Sequence, residues 1–128
     1  MDLLDFRLAG AEFKLQNAPK QGTPLKFGMR RKSETNPNKN GDQITSLYSV
    51  DFEISQEQDG AAVVCFSLQL RYLVWLESKD PITDQGRFEG QYITDQLRPV
   101  IYEEVNHYLA LARLPLITFK SLEQQTQA

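Results

Sequence analysis

The chain has 128 residues, the size of one domain, and its 41% hydrophobic and 24% charged residues are ordinary globular usage, which sets aside wholesale disorder and fibrous repeats. Fourteen Lys and Arg against seventeen Asp and Glu leave a net charge of −3, so the molecule as a whole lacks the basic footprint of a nucleic-acid binder. No apolar stretch approaches the ~20 residues of a membrane span, Met1-Asp2-Leu3-Leu4-Asp5 has no basic region like that of a secretory signal, and the single cysteine, Cys65, suits a reducing compartment. The expectation is one soluble, cytoplasmic domain over 1–128.

The first segment alternates and then changes phase: Leu4, Phe6 and Leu8 fall on even positions, Ala11, Phe13 and Leu15 on odd ones. Alternate side chains of a strand point to opposite faces, so the switch turns the apolar set outward unless an extra residue is inserted. Gly10 sits at the switch, and residues 3–15 read as one long strand bent there by a bulge, a bend that Gly10→Val is expected to strain. Asn17-Ala18-Pro19 and Gly22 end it with turn chemistry. Leu25, Phe27 and Met29 then alternate with Lys26, Gly28 and Arg30, which predicts a strand over 24–31. Residues 33–42 contain nothing apolar and read as a loop.

In the next strand, over 44–55, Tyr48, Val50, Phe52 and Ile54 face one way and Ser49, Asp51, Glu53 and Ser55 the other. A polar face of that kind implies an antiparallel sheet with one side wet. Residues 56–60 close with Asp59-Gly60, a favoured hairpin pair. The strand over 62–76 carries Val64, Phe66, Leu68, Leu70, Tyr72, Val74 and Leu76 on one face, and Val63, Cys65, Ser67, Gln69, Arg71, Leu73 and Trp75 on the other. Lys79-Asp80-Pro81 and Asp84-Gln85-Gly86 break the pattern. Leu97, Ile101, Val105, Tyr108, Leu109 and Ala112 draw one apolar stripe at helical spacing, predicting a helix over about 94–113 capped by Thr94 or Asp95, with Pro99 in its first turns. An apolar extended piece over 114–119 and a tail over 120–128 with room for a short helix follow. Strands first and helices after argue α+β: a four-stranded antiparallel sheet with one long helix and a short C-terminal helix packed against it.

The sequence offers no catalytic constellation. His107 is the one histidine and Cys65 a mid-strand thiol, a position where cysteine is ordinarily inert packing, and the two cannot make a zinc site by themselves. Gly10, Gly22, Gly28 and Gly41 are scattered and form no phosphate loop. Glu103 and Glu104 are adjacent on the helix and so point apart. The reading is therefore a non-enzyme with no cofactor and no metal. The run Arg30-Arg31-Lys32 with Lys26 and Lys39 reads as a solvated strand end. Trp75 stands out because it shares its face with Arg71, Gln69 and Ser67, and an aromatic on a polar face suits an interface.

The order of four strands and one long helix resembles the SecB family of export chaperones. Phe13-Lys14-Leu15-Gln16-Asn17-Ala18-Pro19 is similar to the family's strand-ending Phe-x-x-x-Asn-Ala-Pro, Leu97-Arg98-Pro99-Val100-Ile101-Tyr102-Glu103-Glu104-Val105 to its helix start, and Leu114-Pro115-Leu116-Ile117-Thr118-Phe119 to the Pro-containing apolar segment after that helix. The resemblance implies an ATP-independent holdase that binds unfolded polypeptides, forms a homo-oligomer (dimer or tetramer), and takes an antitoxin or a translocation component as a further partner. It also implies a groove lined by aromatic and aliphatic side chains, for which Phe66, Leu68, Leu70, Tyr72 and Trp75 on the long strand, with Tyr102 and Leu109 on the helix, are the candidates. Classical members dock the motor SecA through acidic residues; the aligned positions here are Gly10, Lys14 and Phe66, none of them acidic, and the role of SecB-like domains in toxin–antitoxin systems does not need that surface. Two other readings stay open: an adaptor of the same fold holding one folded partner, and a small-molecule-binding domain whose polar groups would be Gln69, Arg71, Asn106 and His107.

Overall fold

The computed structural model describes residues 1–37, 42–78 and 88–115. Strands β1 (Asp2–Leu15), β2 (Leu25–Pro37), β3 (Gln43–Gln58) and β4 (Ala61–Glu77) precede helix α1 (Phe88–Leu111). All pairings are antiparallel and the sheet order is β1-β4-β3-β2, so β1 and β2 are the edges. The fold is α+β with α1 on one face. The expected short C-terminal helix and the segment 116–119 lie outside the described residues, as do 38–41 of the loop after β2.

The strands run slightly longer than the sequence reading, and the end of β2 differs most. β2 runs on through Ser33–Pro37, paired with Tyr48–Ile44, although it has no apolar residue there. Cross-strand hydrogen bonding carries an exposed edge without help from apolar side chains, and Pro37 at its end is a tolerated edge position. β3 and β4 meet in a two-residue turn in which Asp59 (φ 53°) and Gly60 (φ 81°) are both left-handed, the geometry that matches strand twist.

Bulges decide which side chains face the helix. Between Leu8 and Gly10 the register with β4 slips by one, so Leu8 (opposite Tyr72) and Ala11 (opposite Leu70) lie on the same side, as the phase switch predicts. A second slip between Leu3 and Asp5 puts Leu3 rather than Leu4 on that side; Leu4 is 54% exposed. Gly10 itself has an ordinary negative φ, and a Cβ there would meet nothing, so the expected strain of Gly10→Val is not supported. A third slip, at Cys65, pairs Ile54 with Phe66 but Ser55 with Val64, which moves Val63 to the helix side and Val64 to the other. Strict alternation through residue 65 therefore misplaces both valines.

The core lies between α1 and the inner face of β3 and β4. Ile44, Tyr48, Val50, Phe52, Ile54, Phe66, Leu68, Leu70, Tyr72, Val74 and Leu76 from the sheet meet Ile93, Leu97, Ile101, Tyr102, Val105 and Leu109 from the helix. The helical residues recur at i, i+4, so one stripe is buried. α1 begins at Phe88, not Thr94, because Thr94 does not cap: its hydroxyl donates to the Gly90 carbonyl one turn back (2.8 Å) and accepts from Tyr48 (2.5 Å). Pro99 is accordingly mid-helix rather than in the first turns. At the C-terminal end Leu114 N–H donates to Leu109 O (2.9 Å) and Arg113 N–H to Ala110 O (3.1 Å), a Schellman cap with Arg113 at φ 57°.

Candidate functional site

Six of the seven predicted groove residues are brought together, but inside. Phe66, Leu68, Leu70 and Tyr72 on β4 and Tyr102 and Leu109 on α1 are all at most 4% exposed and belong to one core cluster. Trp75 is not with them. It lies on the opposite face of the sheet, half-buried, opposite Asp5 and Thr45, with the Arg7 guanidinium 5.8 Å from the ring centre. Leu4 and Trp75 border a shallow depression of about 280 Å³ there. Of the three positions aligned with the SecA-docking acids, Gly10 and Lys14 pair with Arg71 and Ser67 of the polar outer face. Phe66 is fully buried on the inner face and cannot belong to an exposed docking surface, so its place in that alignment is corrected.

Three of the exposed large apolar side chains, Leu8, Phe13 and Leu15, lie beside the core on the helix side of the edge strand; Leu4 is on the other face. α1 covers β3 and β4 fully and β1 only in part: Leu3 and Phe6 pack against the core, while Leu8 is 43%, Phe13 43% and Leu15 55% exposed, and Leu111 on α1 is 60% exposed. Phe13 links the two elements, its ring 5.4 Å from Tyr108 of α1 and 6.2 Å from Phe66. Phe66 in turn meets Phe52 at 6.3 Å and Phe52 meets Phe27 at 6.3 Å, so a row of rings crosses the sheet from β2 and surfaces at Phe13. The sequence carried this signal in the odd-position set Ala11, Phe13 and Leu15. What it hid was that β1 is an edge strand, which α1 touches at Leu3 and Phe13 and leaves partly open between and beyond them.

The turn after β1 is held by side-chain amides. Asn17 Nδ2 donates to Val64 O (2.8 Å), and the buried Gln56 amide accepts from Lys20 N–H (2.7 Å) while donating to Lys20 O (2.8 Å) and Thr23 O (2.9 Å). These bonds fix the end of β1, and with it Phe13 and Leu15, against β3 and β4. Gln56 was missed by sequence reasoning because a glutamine in a strand gives no sign of being buried.

Burial pushes the Cys65 thiol and the Tyr48 and Tyr72 phenols up from their ordinary values, for Tyr48 against the opposing pull of its Thr94 hydrogen bond, so none of them ionises near neutrality. His107 is exposed and lies edge-on to Tyr108. Among the described residues no group of three or more His, Cys, Asp or Glu is placed to hold a metal ion, and no helix is long and apolar enough to cross a membrane.

No family model matches the sequence, and no curated protein does. Among solved structures the chain is similar to the Mycobacterium tuberculosis SecB-like chaperone Rv1957, in complex with a ChAD peptide from the HigA1 antitoxin. The TM-score is 0.67 at 16% sequence identity, over 92% of this chain and 88% of that one. The fold is SecB-like. The match spans all four strands and the helix rather than a shared hairpin, and it agrees with the element order that suggested the resemblance.

Proposed function

We propose that the chain is a non-catalytic SecB-like chaperone that holds extended, unfolded polypeptide segments along the strip formed by Leu8, Phe13 and Leu15 of β1 with Tyr108 and Leu111 of α1. The observation that carries this reading is that Leu8, Phe13 and Leu15 are exposed together on the helix side of β1, with Tyr108 against Phe13, in a fold whose solved neighbour is a chaperone with a bound antitoxin peptide. Aromatic and aliphatic contacts of this kind grip many sequences without reading one. Phe66 and the other buried groove candidates act as its floor, and Trp75 with Arg7 is a separate contact on the far face. An antitoxin is a client class consistent with the neighbour; Gly10 and Lys14 give export through SecA no acidic support.

Magnitudes set how the protein must work. Covering the exposed halves of Leu8, Phe13, Leu15 and Leu111 contributes on the order of 1 kcal/mol each, which together is roughly a millimolar contact. A client is therefore held by several strips at once, and a homo-oligomer supplies them through effective concentration.

The test is suppression of aggregation of a chemically unfolded model protein at near-stoichiometric ratio, without nucleotide. The wild-type protein is expected to suppress it and the Phe13→Ser/Leu15→Ser variant to lose most of the effect. An inactive wild type contradicts the holdase and leaves the adaptor with one partner, the reading that the single bound peptide of the neighbour favours.

A further inference from the structure

The two open edges of the sheet differ in charge. β1 mixes Asp2, Asp5 and Glu12 with Arg7 and Lys14, whereas β2 carries Lys26, Arg30, Arg31 and Lys32 against the single acid Glu34. In a molecule of net charge −3 this is a local concentration of cations on one edge. All four cations are exposed, and among the described residues Lys26, Arg30 and Arg31 have no ion-pair partner; Lys32 meets Glu34 at 3.5 Å with both side chains largely in solvent. On the outer face Arg30 lies opposite Asp51, and Gly28 opposite Glu53. Arg31 lies on the helix side opposite Val50, a charge turned inward on an edge strand.

Among the described residues nothing pairs with the outer edge of β2, a row of backbone donors and acceptors along a 13-residue strand. Lysines and inward charges on such an edge turn away a second copy's neutral or basic strand. An acidic strand inverts that repulsion. On the helix side, Arg31, Lys32 and Ser33 meet Gln91 and Thr94 around a depression of about 360 Å³, lined by polar groups. A strand added to β2 points alternate side chains to that side, so every second residue faces Arg31 and its depression while the others run beside Lys26, Arg30 and Lys32. A nucleic-acid backbone also suits cations, but it cannot reproduce the period-two ladder of donors and acceptors that this edge offers.

We propose that the open edge of β2 is a second recognition site, which takes an extended acidic polypeptide segment as an added strand. It is separate from the apolar strip on β1, so each can fail without the other.

The probe is a blocked ten-residue peptide alternating Glu and Val, compared with its Lys–Val counterpart and with a Glu–Val peptide N-methylated at alternate residues. Fluorescence anisotropy reads binding, and amide exchange of the protein reads where. The Glu–Val peptide is expected to bind, to slow exchange between Lys26 and Thr35, and to weaken with added salt. Lys26→Gln/Arg30→Gln/Arg31→Gln/Lys32→Gln, four exposed ion pairs removed, is expected to cost about tenfold or more, N-methylation likewise, and Phe13→Ser nothing. Equal binding of the Lys–Val peptide, or full binding by the substituted protein, overturns the proposal. So does an N-methylated peptide that binds undiminished, or a dT10 oligonucleotide that displaces the Glu–Val peptide at lower concentration than unlabelled peptide does, since either marks a plain polyanion site; the N-methylated comparison needs no protein variant.

Discussion

Tyr72 and Arg113 sit in settings that the sequence does not show. The Tyr72 hydroxyl is buried and, among the described residues, has no hydrogen-bond partner. Removing such a group removes a desolvation cost, so Tyr72→Phe is expected to raise stability by about 1 kcal/mol in urea unfolding. Burial raises the phenol's pKa in the folded state. Stability from that shift is fully present below the unfolded value of about 10 and falls as pH rises beyond it. The urea midpoint is thus expected to drop above about pH 10, less steeply in Tyr72→Phe; identical slopes in the two proteins contradict the burial. Arg113 occupies the left-handed position of the helix cap at φ 57°, where glycine is at ease. Arg113→Gly is expected to stabilise by about 0.5–1 kcal/mol, and a loss in thermal unfolding would show that the arginine side chain makes a larger contribution than its strain costs. Gly10 is the opposite case: its place at the phase switch was legible, but the switch is made by an inserted residue and not by a backbone angle that only glycine adopts.

At the scale of elements, alternation located all four strands, because a one-sided core imposes period two wherever a face is buried. It failed where that cause is absent. The polar stretch Ser33–Pro37 extends β2 by backbone pairing alone, and the bulge at Cys65 reverses the valines on either side of it. α1 starts six residues before Thr94, which resembles a cap in sequence, while Ile93, four before Leu97, already continues the buried stripe. The same logic explains the groove candidates. Hydrophobicity finds residues that leave water, and those in the middle of β4 and α1 leave it on folding. At an edge, where the sheet outruns the helix, an apolar set remains exposed. A pair of substitutions separates the roles: Leu68→Ala is expected to cost about 2–5 kcal/mol of stability with peptide affinity unchanged per folded molecule, and Phe13→Ala much less stability but most of the affinity. Equal stability losses at both positions in chemical unfolding would place Phe13 in the core.

The whole molecule is a sheet with one covered face, one polar face and two dissimilar edges, apolar on the helix side of β1 and basic along β2. That asymmetry is a property of the assembled sheet, since β1 and β2, neighbours in sequence, end up on opposite sides of it. The sequence therefore showed the fold class and the resemblance more readily than it showed the surface. Where a bound polypeptide sits separates these surfaces. Backbone and methyl NMR spectra of the protein, recorded during titration with a chemically unfolded polypeptide, would locate it. The signals of Leu8, Phe13, Leu15 and Leu111 are expected to move first and most, while those of the buried Leu68, Leu70 and Val105 stay in place. Perturbation centred on the polar outer face, with the β1 strip silent, would contradict the proposed site.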